Sequence, residues 1–199
     1  MSVAREEPPR LTFEEYLRFE ELSEVRHELV DGHLRAMDDV FAMSGGSNRH
    51  NRAANRISAL LTGPFEDQGC RVYQQGEALR VADDRSYYPD VFVTCGPEVG
   101  PRHEDDARWV VEVLSPGTRA TDEGEKSRAF LALPSLQGYL LVDTDAEYVE
   151  VRRPVPIDVP AGRFTVEIYP VGAGHRVDLG PVGLDVDELF ERLNRLSPR

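Results

Sequence analysis

A chain of 199 residues, 40% hydrophobic and 30% charged, has the makeup of a soluble globular protein and the length of one domain with a real core. Its formal charge of −13 argues against a general basic surface for nucleic acid, because neutralising phosphates supplies much of that affinity. No apolar run approaches the roughly 20 residues that cross a membrane, and the opening MSVAREEPPR lacks a signal-peptide core, so a cytoplasmic protein with no membrane partner is expected.

Residues 1–10 are expected to be loose. Thr12-Phe13-Glu14-Glu15 is a capping-box signature that opens an amphipathic helix reaching about Leu22. Asp31-Gly32, between His27–Val30 and Leu34–Met37, is a hairpin turn signal. After Ser44-Gly45-Gly46-Ser47 a second helix starts near Asn48 and is expected to end near Gly63-Pro64. Four strand-like runs follow: CRVYQQ (70–75), ALRVA (78–82), DVFVT (90–94) and RWVVEVL (108–114). A helical stretch from Asp122 to Leu133 stops at Pro134. GYLLVDT (138–144) is the most apolar strand, hence central, with YVEVRR (148–153) beside it and Asp145 near the turn. FTVEIYP (164–170) and HRVDL (175–179) read as a late, more exposed pair, and GLDVDELFERL (183–193) as a closing amphipathic helix. The sum is an α/β fold, a mixed sheet flanked by helices, in a single domain spanning 1–199. Cys70 and Cys95 make neither a disulfide framework nor a zinc site and read as reduced structural thiols.

The chemistry begins with Glu112, a carboxylate inside the apolar run RWVVEVLSP. Burying it costs several kcal/mol unless a basic partner, a proton or a metal ion compensates. Asp90 follows Tyr87-Tyr88-Pro89 at the start of another strand. Alternation puts Asp90 on one face with Phe92 and Thr94, and Glu112 on one face with Val110 and Leu114. If the strands are neighbours, the two acids converge. Two close carboxylates repel, and a cation such as Mg²⁺ would relieve them. A capping Asp90 and a Glu112–Arg ion pair remain the plainer alternative.

Lys126, the single lysine among 22 arginines, lies four residues after Asp122, so the two share a helical face. A salt bridge between them is the simple explanation. His50 shares a stripe with Ala53, Ala54, Ile57, Leu60 and Leu61 and therefore points inward, where a satisfied core histidine is the default. Arg49, Arg52 and Arg56 form one of the few basic stripes, either a phosphate contact or a solvated helix face. Glu28, in HELVDG, is a third acid near the site or an exposed hairpin residue. Asp143 reads mainly as a turn residue.

The order Glu28, His50, Pro89-Asp90, Glu112-Val-Leu-Ser-Pro, Asp122 and Lys126 resembles the PD-(D/E)XK nuclease superfamily and, within it, the Uma-type restriction endonucleases. The likeness runs from about Leu11 to Val151, through LTFEEYL, ELVDG, YYPDVFV, VVEVLSPGTRATDEGEK and GYLLVD. It implies a restriction-endonuclease-like mixed sheet with an N-terminal helix and hairpin. It also implies Mg²⁺, with Mn²⁺ as a substitute, held by Asp90, Glu112 and the Val113 carbonyl. The superfamily lysine belongs two residues after the second acid, where this chain has Leu114. The Uma-type pattern supplies it from the following helix as Lys126, with Glu28 and His50 lining the site. The strand that usually ends in an aromatic pair and Asp-Pro reads GYLLVDT here, and Phe130 stands where Tyr is common.

Two functions follow as expectations. The first is a metal-dependent endonuclease-like phosphodiesterase acting on DNA, in which Asp90, Glu112, Lys126, His50 and Glu28 do the chemistry. The second is a catalytically silent interaction protein that keeps the fold. The −13 charge and the absence of a reader segment favour it, whereas the joint presence of Asp90, Glu112 and Lys126 disfavours it. A homodimer is compatible with either.

Overall fold

The computed structural model describes residues 10–37, 48–155 and 163–195. Residues 1–9 of the expected loose terminus and the Ser44–Ser47 lead-in lie outside them.

The chain starts with α1 (Phe13–Glu20), capped by Thr12 as the sequence requires: Thr12 accepts from the Glu15 amide, and the Glu15 carboxylate accepts from the Thr12 amide. The hairpin β1 (His27–Val30) and β2 (His33–Ala36) turns through Asp31 and Gly32. Both turn residues have positive φ (52° and 81°), the geometry for which Asp-Gly is suited. Helix α2 runs Asn48–Glu66 and carries Pro64 inside it, past the expected stop. Proline removes one donor near the helix end, while the extra turn buries Phe65, 2% exposed, beside Leu61.

The strands β3 (Arg71–Gln74), β4 (Ala78–Ala82), β6 (Val91–Thr94), β8 (Trp109–Val113), β9 (Gly138–Asp143) and β10 (Tyr148–Pro154) fall within or near the predicted runs. Two short strands, β5 (Arg85–Tyr87) and β7 (His103–Glu104), are absent from the sequence reading, because neither is long enough to show alternation. The predicted long helix after β8 is broken into α3 (Arg119–Thr121), a π-helical turn (Asp122–Lys126) and α4 (Ser127–Leu131). The expected late pair does not form. Instead β11 (Phe164–Pro170) adds to β10, and β12 (Arg176–Asp178) pairs with β13 (Gly183–Asp185). The closing helix, α5 (Val186–Arg195), starts later than expected because the Asp185 carboxylate accepts from the Glu188 amide at 2.9 Å and so caps it.

Two main sheets result. A six-stranded mixed sheet has the order β11-β10-β9-β8-β6-β3, and a five-stranded sheet the order β2-β1-β5-β4-β7. In the larger sheet β8 and β9 run parallel and every other pair antiparallel. One of its faces, with Val91, Val93, Val111, Val113, Leu140 and Val142, packs with Ile57, Leu61, Leu189 and Phe190 of α2 and α5. The other, with Phe92, Val110, Tyr139 and Leu141, packs with Leu79, Tyr87 and Phe130. Every residue of β8 and β9 is buried, as a central parallel pair demands.

The cysteines correct the sequence reading. Cys70 and Cys95 form a disulfide. They flank β3 and β6, whose register pairs Arg71 with Thr94, so one further step places the two cysteines opposite each other, Cα atoms 4.1 Å apart. Spacing along the sequence carries no sign of this. Among the described residues no helix is long and apolar enough to cross a membrane.

Gly138 pairs with Trp109 across the parallel β8–β9 ladder, and a β-carbon there would collide with the indole ring. Gly138→Val is expected to cost about 1–3 kcal/mol through overpacking, read by urea unfolding with Trp109 fluorescence as the reporter.

Candidate active site

β6 and β8 are antiparallel, with Val91 opposite Val111. One step back along β6 and forward along β8, Asp90 faces Glu112. The Asp90 amide donates to Glu112 Oε2 at 3.3 Å, and the Val113 amide donates to Asp90 Oδ2 at 2.8 Å. Both acids are therefore fixed by strand backbone, which is stiffer support than a loop gives. The alternation read from the sequence also holds: Val91, Val93, Val111 and Val113 belong to the opposite face.

The lysine comes from the helical layer. Lys126 Nζ donates to Glu112 Oε1 at 2.9 Å and lies 3.3 Å from Asp122 Oδ1 and 3.4 Å from Glu28 Oε1. Asp122 and Lys126 bound the π turn and are both buried. Such a turn inserts one residue into an α-helix, a deformation found often at functional sites. The Tyr139 hydroxyl holds its first residue by donating to the Asp122 carbonyl at 3.1 Å.

His50 enters from the first turn of α2, its Nε2 3.1 Å from Asp90 Oδ1, and Gln75 Nε2 approaches the same oxygen at 3.4 Å. Glu28 is buried rather than exposed. Its register partner Arg35 donates to it through Nη2 at 2.7 Å and Nε at 3.1 Å, and reaches Glu125 at 2.9 Å. Tyr87 donates to the same Glu125 oxygen at 3.1 Å. Glu28, His50, Asp90, Glu112 and Lys126 thus stand together, with the Val113 backbone between them. Arg35, Glu125, Tyr87 and Gln75 escape sequence reasoning. Arg35 is within its reach, since a two-residue turn at Asp31-Gly32 sets Glu28 across from position 35.

Other candidates fall elsewhere. Arg49 bonds the Thr144 carbonyl at 2.8 Å and pairs with Glu147 at 2.7 Å, so it serves the fold. Asp143 is a turn residue, its Oδ1 accepting from the Asp145 and Ala146 amides at 2.9 and 2.8 Å, and it also pairs with Arg119.

The electrostatics follow from burial. Burial pushes Glu112 upward; Lys126 pulls it down, but Asp122 and Asp90 add repulsion, and its pKa ends well above the usual carboxylate range. Asp122 is raised in the same way. Burial opposes the charge on Lys126, yet Glu112, Glu28 and Asp122 outweigh it and the ammonium holds its proton firmly. Burial likewise lowers His50, but the hydrogen bond and charge of Asp90 win and the imidazole is raised, helped by the Val113 backbone. Asp90 in turn falls below its ordinary value despite burial, through His50, the Val113 amide and Lys126. The cluster holds four buried carboxylates, Glu28, Asp90, Glu112 and Asp122, around one lysine and one histidine, with Arg35 shared at its edge.

This surplus of hard, buried oxygens suits a divalent cation. Asp122 Oδ1 is buried and accepts no hydrogen bond; Lys126 Nζ lies 3.3 Å away, but burial and the charge of Asp90 still leave the carboxyl raised. Among the described residues no group of three or more His, Cys, Asp or Glu side chains forms a ready metal cage. Mg²⁺ needs only one or two carboxylates, completing its octahedron with water and phosphate. Asp90, Glu112 and the Val113 carbonyl are the groups that could supply such a set.

Two outcomes test the charge balance. Below about pH 4.5 Glu112 is protonated whether folded or unfolded. Above it the unfolded chain releases the proton while the folded chain keeps it, so this group's contribution falls as pH rises towards its raised value. The melting temperature of Glu112→Gln should match wild type in acid and exceed it increasingly through neutrality. Lys126→Met, which leaves the acids unpaired, should lose about 3–5 kcal/mol in urea unfolding at pH 7.

Comparison with known proteins adds similarities of sequence and fold. Residues 13–165 match the model of the Uma2 family, described as "Putative restriction endonuclease". From Synechocystis sp. strain PCC 6803, the uncharacterized protein slr1290 is 34% identical over 150 residues, covering 72% of this chain and 74% of its own. The uncharacterized protein sll1609 of the same organism is 30% identical over 148 residues, covering 70% and 78%. A crystal structure from Anabaena variabilis, described as a "putative nuclease belonging to DUF820", superposes with a TM-score of 0.68 at 19% identity, covering 92% of this chain and 99% of that one. That likeness establishes a shared fold.

Proposed function

The chain belongs to the Uma2 family, and from that premise we propose that it is a Mg²⁺-dependent endonuclease that hydrolyses phosphodiester bonds in DNA. The observation that carries this reading is the convergence of Asp90, just before β6, and Glu112, within β8, with the ammonium of Lys126 2.9 Å from Glu112. A purely structural ion pair would need one acid, whereas Lys126 has three within 3.4 Å and Asp90 pairs with His50 beside them.

Asp90, Glu112 and the Val113 carbonyl are the groups to hold Mg²⁺, which when bound polarises the scissile phosphate and lowers the pKa of an attacking water. The remaining work falls to the chain itself. Lys126, kept protonated by its acid neighbours, donates to the attacking water or to the charge that grows on the phosphate oxygens. His50, raised beside Asp90, donates when protonated to a non-bridging phosphate oxygen. Glu28, anchored by Arg35, keeps the ammonium from swinging away and adds an oxygen donor for a second metal ion. Mn²⁺ substitutes for Mg²⁺ in this scheme. A cytoplasmic location goes with this reading, and the Cys70–Cys95 disulfide would be unusual there.

Nicking of supercoiled plasmid with Mg²⁺ or Mn²⁺ tests the mechanism. Asp90→Ala, Glu112→Ala and Lys126→Ala should each lose at least about 100-fold in rate; a Glu112→Ala variant that nicks like wild type would sink it. The second reading, a silent interaction protein that retains the fold, is favoured by the −13 charge. Calorimetry separates the two: the nuclease binds Mg²⁺ or Mn²⁺ at millimolar concentration and loses that binding in Asp90→Ala, whereas the silent protein binds neither.

A further inference from the structure

A second charged feature lies beside α2, on residues that the acid cluster does not use. Helices α2 and α5, with the β12–β13 ribbon, enclose a groove of about 590 Å³. Arg52 and Arg56 from α2, Arg176 from β12 and Arg192 from α5 line it, against two acids, Asp185 and Glu188. In a chain of net charge −13 this is a local excess of positive charge.

The acids are already committed. Asp185 caps α5, and Glu188 pairs with Arg192 at 2.5 Å. Among the described residues, the guanidinium groups of Arg56 and Arg176 have no hydrogen-bond or ion-pair partner. Arg176 is exposed and lies over Gly183. A β-carbon at Gly183 would collide with its Nε, so the glycine is what lets the arginine lie across the ribbon. Buried Leu184 and Leu189 complete the lining and support the arginine stems. Arg52 and Arg56 are one helical turn apart, and Arg52 follows His50, which touches Asp90, by two residues.

We propose that this groove is a second nucleic-acid contact, binding the phosphate backbone of DNA away from the bond to be cut. The proposal rests on the nuclease reading and deepens it, giving an acidic protein a place to hold a polyanion. Guanidinium groups suit that task, because their forked donors match phosphate oxygens two at a time. The site is cationic only locally, so the remaining surface would repel DNA presented elsewhere and favour this approach.

Fluorescence anisotropy with a short labelled DNA duplex in EDTA tests it without cleavage. The Arg56→Ala/Arg176→Ala double variant should bind at least about 10-fold more weakly, and its slope of log affinity against log salt should be shallower by about 2, one unit for each phosphate no longer neutralised. Single Arg56→Gln and Arg176→Gln variants, checked by circular dichroism, should each weaken binding in the same direction, which keeps the test valid if the double variant misfolds. Unchanged affinity and slope in well-folded variants, or no duplex binding by wild type at low salt, overturns the proposal. So does binding of inorganic phosphate to these arginines while duplex affinity stays unaffected, which would make the groove a small-anion site. Plasmid nicking is scored separately. If wild type never cuts but still loses duplex affinity with the arginines, the catalytic reading fails and the groove stands.

Discussion

Everything around the site depends on one imbalance: more carboxylate is buried than the protein's own cations neutralise. Glu112 and Asp122 are driven up, Lys126 and His50 are raised by their acid neighbours, and Arg35 is drawn to the edge of the cluster. A fold that sought only stability would have replaced these groups with apolar side chains of similar size, since buried ion pairs seldom repay their desolvation. Buried, strongly perturbed charge of this kind is found more often at functional sites than elsewhere in a fold.

The two layers divide the labour. The six-stranded sheet sets the acids, because Asp90 and Glu112 face each other in a register fixed by the β6–β8 ladder and locked by the Val113 amide. The helical layer supplies the cation, since the π turn aims both Asp122 and Lys126 inward. Between the layers, Tyr139 of β9 packs against Phe130 of α4 and donates to the Asp122 carbonyl. The hairpin closes the third side with Glu28 and Arg35.

Much of this is legible in the sequence, because periodicity and punctuation are local. Strand alternation puts Asp90 and Glu112 on one face, the capping box starts α1, and Asp31-Gly32 sets the hairpin. The misses share a different cause. Cys70 and Cys95 are joined through a register between strands, which no spacing along the chain encodes. Pro64 marks a stop in isolation, but burial of Phe65 carries α2 past it. Arg35 and Glu125 meet only because the hairpin folds over the π turn, 90 residues of chain separating them. Tertiary packing decides each of these, whereas the acids and the lysine stand out by local pattern alone.

The π turn carries a consequence for how such a protein can vary. An extra residue in a helix is a phase shift: it resets which side chains face the sheet from that point on. Lys126 is aimed by this shift, so its position is set by a count of residues rather than by the identity of its neighbours. Losing one residue between Asp122 and Lys126 would restore ordinary helical phase and turn the ammonium roughly a quarter-turn or more from Glu112. Substitution at half-buried Gly124, where an added β-carbon meets nothing, is therefore cheap for the site, and deletions are not. The length of the segment, more than its composition, is what ties the lysine to its acids.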